Sequence, residues 1–185
     1  MEIILASASP RRQELLKSMG YKFTVDVSDV DEQTDLPPKQ AVIELALRKA
    51  KSVAERHSDG IIIASDTLVA LDNKPLGKPA DIDDAKHMLR ALSGRTHEVY
   101  TGVCVIDAAC EKKMADVDTS SVTFRELSDE EIDSYISTGE PMDKAGAYAI
   151  QGGAGVFVSS LEGSFENVMG FPVELVGRML AGFGL

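Results

Sequence analysis

The chain has 185 residues, 44% hydrophobic and 26% charged, which is enough for one substantial core and argues against a disordered chain. Its net charge of -11 opposes binding to nucleic acid or to an anionic membrane, so a polyanionic substrate would need a local basic pocket. The longest apolar runs are strand-sized, no basic region precedes a long hydrophobic segment, and Cys104 and Cys110 lack metal-type partners; the expected setting is cytoplasmic, with Cys104 a buried thiol.

The apolar run Ile3-Ile4-Leu5-Ala6 predicts a strand, and Ser9-Pro10 predicts the N-cap and first position of a helix. Leu15, Leu16 and Met19 give that helix its apolar stripe, and Gly20 ends it. Arg11 and Arg12 stand in its first turn, where the helix dipole disfavours each cation by about 0.3–1 kcal/mol. An anion bound there would offset that cost; the alternative is that both side chains extend into water or pair with acids elsewhere.

Tyr21, Phe23, Val25 and Val27 alternate with polar residues and predict a half-buried strand. An acidic loop follows with Asp29, Asp31, Glu32 and Asp35, ending at Pro37-Pro38. From about Gln40 to Arg56 the spacing of Val42, Leu45, Ala46, Ala50 and Val53 predicts a helix, with Lys49 on its apolar face. Such a lysine either snorkels into water or points at something anionic. The long run Ile61 to Leu71 predicts a strand interrupted by Ser65-Asp66-Thr67, and a carboxylate between two apolar runs requires a cation or hydrogen-bond donors. An aspartate held at a bulge is the structural alternative.

Asp72-Asn73 turns the chain, and Gly77-Lys78-Pro79 forms a rigid loop presenting a lysine suited to phosphate. Asp81 caps a helix with Ala85, Met88, Leu89 and Leu92 on one face, stopped by Gly94. Thr96–Ile106 and Met114–Phe124 predict an antiparallel pair, and Ser128-Asp129-Glu130-Glu131 is a capping box for a helix carrying Ile132, Tyr135 and Ile136. A charged, glycine-dense loop spans Glu140 to Gly153, Val156-Phe157-Val158 predicts a strand, and a last helix starts near Pro172. No repeat or linker divides the chain, so residues 1–185 are expected to form a single α/β domain, with a mixed, twisted central sheet flanked by helices and a cleft at the strand ends.

The outlying residues share one task. Arg11, Arg12, Lys49 and Lys78 could neutralise a polyphosphate, while Asp66 and Glu32 could hold a divalent metal against its oxygens. There is no Walker A pattern, no G-x-G-x-x-G at a strand-to-helix junction and no G-x-S-x-G, and His57, His87 and His97 lack zinc spacing.

Ser7-x-Ser9-Pro10-Arg11-Arg12, Ser65-Asp66-Thr67, Gly77-Lys78-Pro79, Ser93-Gly94-Arg95-Thr96-His97 and Glu140-Pro141-Met142-Asp143-Lys144-Ala145-Gly146-Ala147-Tyr148 through Gln151-Gly152 together resemble the Maf family of nucleoside triphosphate pyrophosphatases. The likeness runs from Ile4 to Pro172; Phe171, where a leucine is usual, is a packing change. The resemblance implies hydrolysis between the α and β phosphates with a divalent cation (Mg2+, Mn2+ or Co2+), a two-lobed fold like that of inosine triphosphate pyrophosphatases, and frequently a homodimer. It further implies Asp66 as general base or metal ligand, Glu32 as second metal ligand, and Arg12, Lys49 and Lys78 as a triphosphate clamp. Arg11, Thr67 and Gln151 match the branch acting on dTTP and UTP rather than the one acting on 7-methyl-GTP. Ser9 would stand on the phosphate side; Asp143 and Lys144 would either pair to shape a lid loop or lend Lys144 to phosphate. The second functional expectation is a nucleotide-sensing regulator of septum formation without turnover.

Overall fold

The computed structural model describes all 185 residues. Its centre is strand β3 (Ile61–Leu71), nearly all of it buried, as a run that is apolar on both faces requires. One edge of β3 pairs along almost its whole length with the antiparallel strand β5 (Thr96–Asp107), which pairs in turn with β6 (Lys113–Phe124). The other edge is shared. β1 (Ile3–Leu5) lies parallel to Ile61–Ile63, and the short β4 (Lys74–Leu76) lies antiparallel to Val69–Leu71. Between them the middle of β3, which holds Ser65, Asp66 and Thr67, has no strand neighbour on that side. With β2 (Phe23–Val25) beside β1 and β7 (Val158–Glu162) beside β6, the sheet order is β2-β1-β3-β5-β6-β7, with β4 off the end of β3.

Alternation along β3 decides what each residue meets. Ile61 and Ile63 face a cluster with Leu16 of α1 (Pro10–Ser18) and, past the short α5 (Phe165–Val168), with Leu175, Val176, Met179 and Leu180 of α6 (Val173–Ala181). Ile62 and Ala64 face the opposite way, onto Ala46, Ala50 and Val53 of α2 (Pro38–Ala54). Burying each of these larger side chains contributes about 1.5–3 kcal/mol. Helix α2 lies close to the sheet because Gly102 of β5 has no side chain: a Cβ there would lie 2.2 Å from the Val42 carbonyl oxygen. A third cluster joins the far ends of β3, β5 and β6 to α3 (Ile82–Leu92) and α4 (Asp129–Ser137) and forms the second lobe.

Several expectations need correction. Val156-Phe157-Val158 is not a strand: Gly153–Phe157 is 3-10 helical and the strand begins at Val158. The strand expected from Tyr21 to Val27 is confined to Phe23–Val25 at the sheet edge, with Val25 exposed on it and Val27 exposed in the loop that follows. α2 starts at Pro38 rather than near Gln40, and Ser9 occupies the N-cap of α1 without a side-chain cap bond. Cys104 is buried, as expected, and burial pushes its thiol up to about 12. No helix is long and apolar enough to cross a membrane.

Candidate active site

The unpaired stretch of β3 forms the floor of a cavity of about 830 Å³ between the lobes. Ser9, Arg11, Arg12, Glu32, Lys49, Asp66, Thr67, Lys78, Asp143, Lys144 and Gln151 all line it, so every site residue expected from sequence reaches one space.

Asp66 and Thr67, being neighbours on a strand, address opposite helices. Asp66 points to α2, where Lys49 Nζ lies 2.7 Å from its Oδ1. The same ammonium lies 3.1 Å from Glu32 Oε1. Lys49 therefore does not snorkel, and Asp66 sits in a regular ladder opposite Gly102 rather than at a bulge. Both Lys49 and Asp66 are buried, so their pairing offsets a desolvation cost of several kcal/mol per ion. Glu32 is held from outside by Arg48, whose Nη1 donates to the carbonyls of Asp31 (3.4 Å) and Gln33 (2.9 Å), on either side of it.

Thr67 points to α1. Its hydroxyl accepts from Arg12 Nη2 (3.3 Å) and shares a 2.9 Å hydrogen bond with the Thr101 hydroxyl. Arg12 Nε donates to the Gly170 carbonyl at 3.0 Å, and Nη1 donates to the Ser65 carbonyl at 2.7 Å and to Ser7 Oγ at 3.4 Å. Arg12 thus satisfies a carbonyl in the part of β3 that lacks a strand neighbour, and one Nη2 hydrogen is left without a protein acceptor. Burial lowers its pKa, with the charge of Asp66 opposing; it remains a cation. Gly170 has φ +98°, and a Cβ there would lie 3.0 Å from Thr67 Oγ1, so only glycine lets this backbone approach.

Arg11 and Lys78 line the cavity and take part in none of the protein's ion pairs. Lys144 pairs with the adjacent Asp143, whose carboxyl its hydrogen bond holds below the usual range. Gln151 is exposed on the rim, in a turn closed by Gly152 N to the Ala149 carbonyl. Glu140 also lines the cavity.

Sequence reasoning missed Arg48, Glu140, Ser65 and Gly170. Gly170 before Phe171-Pro172 carried a usable signal, and so did an arginine directly before Lys49. The contacts of Glu140 and of the Ser65 carbonyl depend on residues distant in the chain.

Two carboxylates meeting one ammonium fit a magnesium-like ion, which binds through one or two carboxylates and keeps water and phosphate as its other ligands. No group of three or more His, Cys, Asp or Glu residues is arranged as an all-protein metal cage.

A mixed sheet parted along one strand, with arginine and lysine side chains facing carboxylates in the gap, defines an α/β protein whose cleft suits a polyphosphate and its counter-cation. The family profile described as Maf-like protein matches residues 2–183, and the chain belongs to that family. It is 47% identical to a dTTP/UTP pyrophosphatase of Desulforamulus reducens over 99% of this chain and 97% of the relative. It is 50% identical to one from Alkaliphilus oremlandii over 97% and 94% of the two chains, and 46% identical to one from Bacillus cereus (strain B4264) over 100% and 96%.

Proposed function

We infer that this protein is a nucleoside triphosphate pyrophosphatase that hydrolyses dTTP and UTP to the nucleoside monophosphate and pyrophosphate. The supporting observation is that Asp66 and Glu32 both contact the Lys49 ammonium in a cavity that Arg11 and Lys78 also line. Relatives nearly half identical over almost their whole length carry that name.

Water attacks the α phosphorus, the bond from that phosphorus to the α–β bridging oxygen breaks, and pyrophosphate leaves. Asp66 is the group proposed to accept the water's proton, since it alone is a buried carboxylate in the cavity floor. Lys49, Lys78 and the remaining hydrogen of Arg12 balance charge on the phosphate oxygens, and Ser9 stands at the α1 end of that row. A divalent cation (Mg2+, Mn2+ or Co2+) held by Glu32 and Asp66 would supply further charge neutralisation across neighbouring phosphates. Arg11 and Gln151 face the base or sugar, the Gln151 amide being able both to donate and to accept toward the carbonyl and imide edge of uracil or thymine. Thr67 acts on selectivity through Arg12 and Thr101, because its hydroxyl is already bonded to both. The Asp143–Lys144 pair shapes the rim.

Pyrophosphate release from dTTP and UTP with magnesium or manganese tests this reading, with Asp66→Asn as control. Release by the unaltered protein no greater than by Asp66→Asn would leave a nucleotide-binding regulator of cell division instead. A panel with 5-methyl-UTP, pseudo-UTP and 7-methyl-GTP tests the pyrimidine assignment; preference for the purine overturns it.

A further inference from the structure

Gln151 sits in a turn of only a few residues, and both ends of that turn are tied to one neighbouring element. At one end the Ala149 amide donates to the Tyr135 hydroxyl at 3.1 Å. At the other the Gly153 amide donates to Glu140 Oε2 at 3.0 Å. Tyr135 belongs to α4, and Glu140 follows that helix directly after Gly139, whose φ of +75° turns the chain back toward the cavity. Burial, with the nearby Glu140 carboxylate adding to it, pushes the pKa of the Tyr135 phenol up, so the hydroxyl stays protonated. The carboxylate is seated against the turn's backbone: a Cβ on Gly152 would lie 1.9 Å from Glu140 Oε1. Glycine at position 152 thus makes room for the carboxylate of Glu140, a constraint separate from turn geometry, since Gly152 has an ordinary extended φ of -104°.

We propose that Glu140 is the positioning residue for nucleobase selection, holding the Ala149–Gly153 turn against α4 so that Gln151 is presented to the base at a fixed height. This rests on the reading that Gln151 contacts the base. The phosphate side of the cavity, built on β3, α1 and α2, has no part in the arrangement, so loss of the carboxylate acts on base recognition before it acts on chemistry. Ordering a short loop before the ligand arrives improves binding by reducing the entropy lost on association.

The test compares the unaltered protein with Glu140→Ala, Glu140→Gln and Gly152→Ala, each first shown to be folded by circular dichroism and thermal melting. In Glu140→Ala and Gly152→Ala, KM for UTP should rise at least ~10-fold, the loss expected for one hydrogen bond to a charged acceptor. The preference for UTP over GTP should shrink by a similar factor, while kcat at saturating UTP changes less than about threefold. Glu140→Gln, which retains a carbonyl acceptor for Gly153, should recover most of the selectivity. Amide exchange read by NMR should show Gly153 losing protection in Glu140→Ala and keeping it in Glu140→Gln. Unchanged Gly153 protection in Glu140→Ala, or equal loss of kcat for every nucleotide with KM unaltered, overturns the inference. Gln151→Ala separates the two readings. If it leaves selectivity intact, base contact by Gln151 fails, and faster Gly153 exchange in Glu140→Ala still supports the tether. If Gln151→Ala abolishes selectivity and Glu140→Ala does not, the positioning role fails.

Discussion

The Lys49 ammonium lies 2.7 Å from Asp66 Oδ1, both groups largely withdrawn from water, and reaches Glu32 Oε1 at 3.1 Å on its more exposed side. One ammonium thus balances half the charge of two carboxylates, and the negative charge left over is what a divalent ion would meet.

Lys49→Met should remove that balance while keeping most of the side chain's volume. Removing one partner of a buried ion pair costs about 3–5 kcal/mol, and Asp66 would then face Glu32 without a counter-ion. The variant should be inactive and melt lower, and magnesium should raise its melting temperature more than that of the unaltered protein, because no ammonium competes for the two carboxylates. An equal or smaller magnesium shift, measured by calorimetry, would contradict the assignment of Glu32 and Asp66 as a joint cation site.

Arg11 and Arg12 are adjacent but differently used. Arg12 joins α1, the middle of β3 and the Gly170 turn, so Arg12→Ala should reduce unfolding stability by about 3 kcal/mol as well as activity on every triphosphate. Arg12→Lys should rescue little, since a single ammonium cannot reproduce the guanidinium fork. Arg11 makes no ion pair within the protein, and Arg11→Ala should leave stability within about 0.5 kcal/mol while changing the ranking among triphosphates. Urea unfolding alongside the nucleotide panel checks both; equal stability losses in the two variants would refute the division.

How much of this could be read from the sequence depended on the range of the interaction. β3 was legible because two four-residue apolar runs on either side of Ser65-Asp66-Thr67 read as one long strand, and a carboxylate inside it had to have a partner. Lys49 was the other half of that argument, a cation on an apolar helical face. The sequence could not show that β1 and β4 share one edge of β3 and leave the middle free, since Pro75 disguises β4 as turn. β7 escaped notice for a similar reason: Ser159 and Ser160 break the alternation, which an edge strand tolerates. Glu140 stands before Pro141 in what reads as loop, and only the fold brings it to Gly153.

His97 supplies a pH dependence. It is fully buried, packed edge-on against Phe124 and Tyr148, with Nε2 2.7 Å from the Tyr148 hydroxyl and no partner for Nδ1. Burial lowers its pKa from 6.5 to about 4. Between those values the unfolded chain binds the proton and the folded one does not, so stability is fully present above pH 6.5 and falls as pH drops toward 4, by up to about 3 kcal/mol. His97→Gln should be less stable at pH 7.5 but show a flatter decline, as read from urea midpoints at pH 7.5 and 4.5. A parallel decline in both proteins would remove His97 as its source.

Gly102→Ala tests how the site depends on the fold. Gly102 is paired across the ladder with Asp66, and its face of the sheet receives α2 so closely that an added Cβ would lie 2.2 Å from the Val42 carbonyl oxygen and 2.7 Å from the Ile43 nitrogen. Those atoms are backbone, so no side chain can rotate away, and the helix itself has to move. Overpacking of this kind costs about 1–3 kcal/mol or more, and it acts two helical turns before Lys49, on the helix that carries the ammonium to Asp66. The variant should therefore lose activity out of proportion to its stability: a protein still folded at 25 °C should show kcat reduced at least ~10-fold, since 1.36 kcal/mol of lost transition-state stabilisation is enough. Gly177→Ala on α6 is the control, because its Cβ would meet only the Met19 methyl at 3.6 Å. A folded Gly102→Ala protein with the turnover of Gly177→Ala would show that the seating of α2 on β5 does not set the position of Lys49.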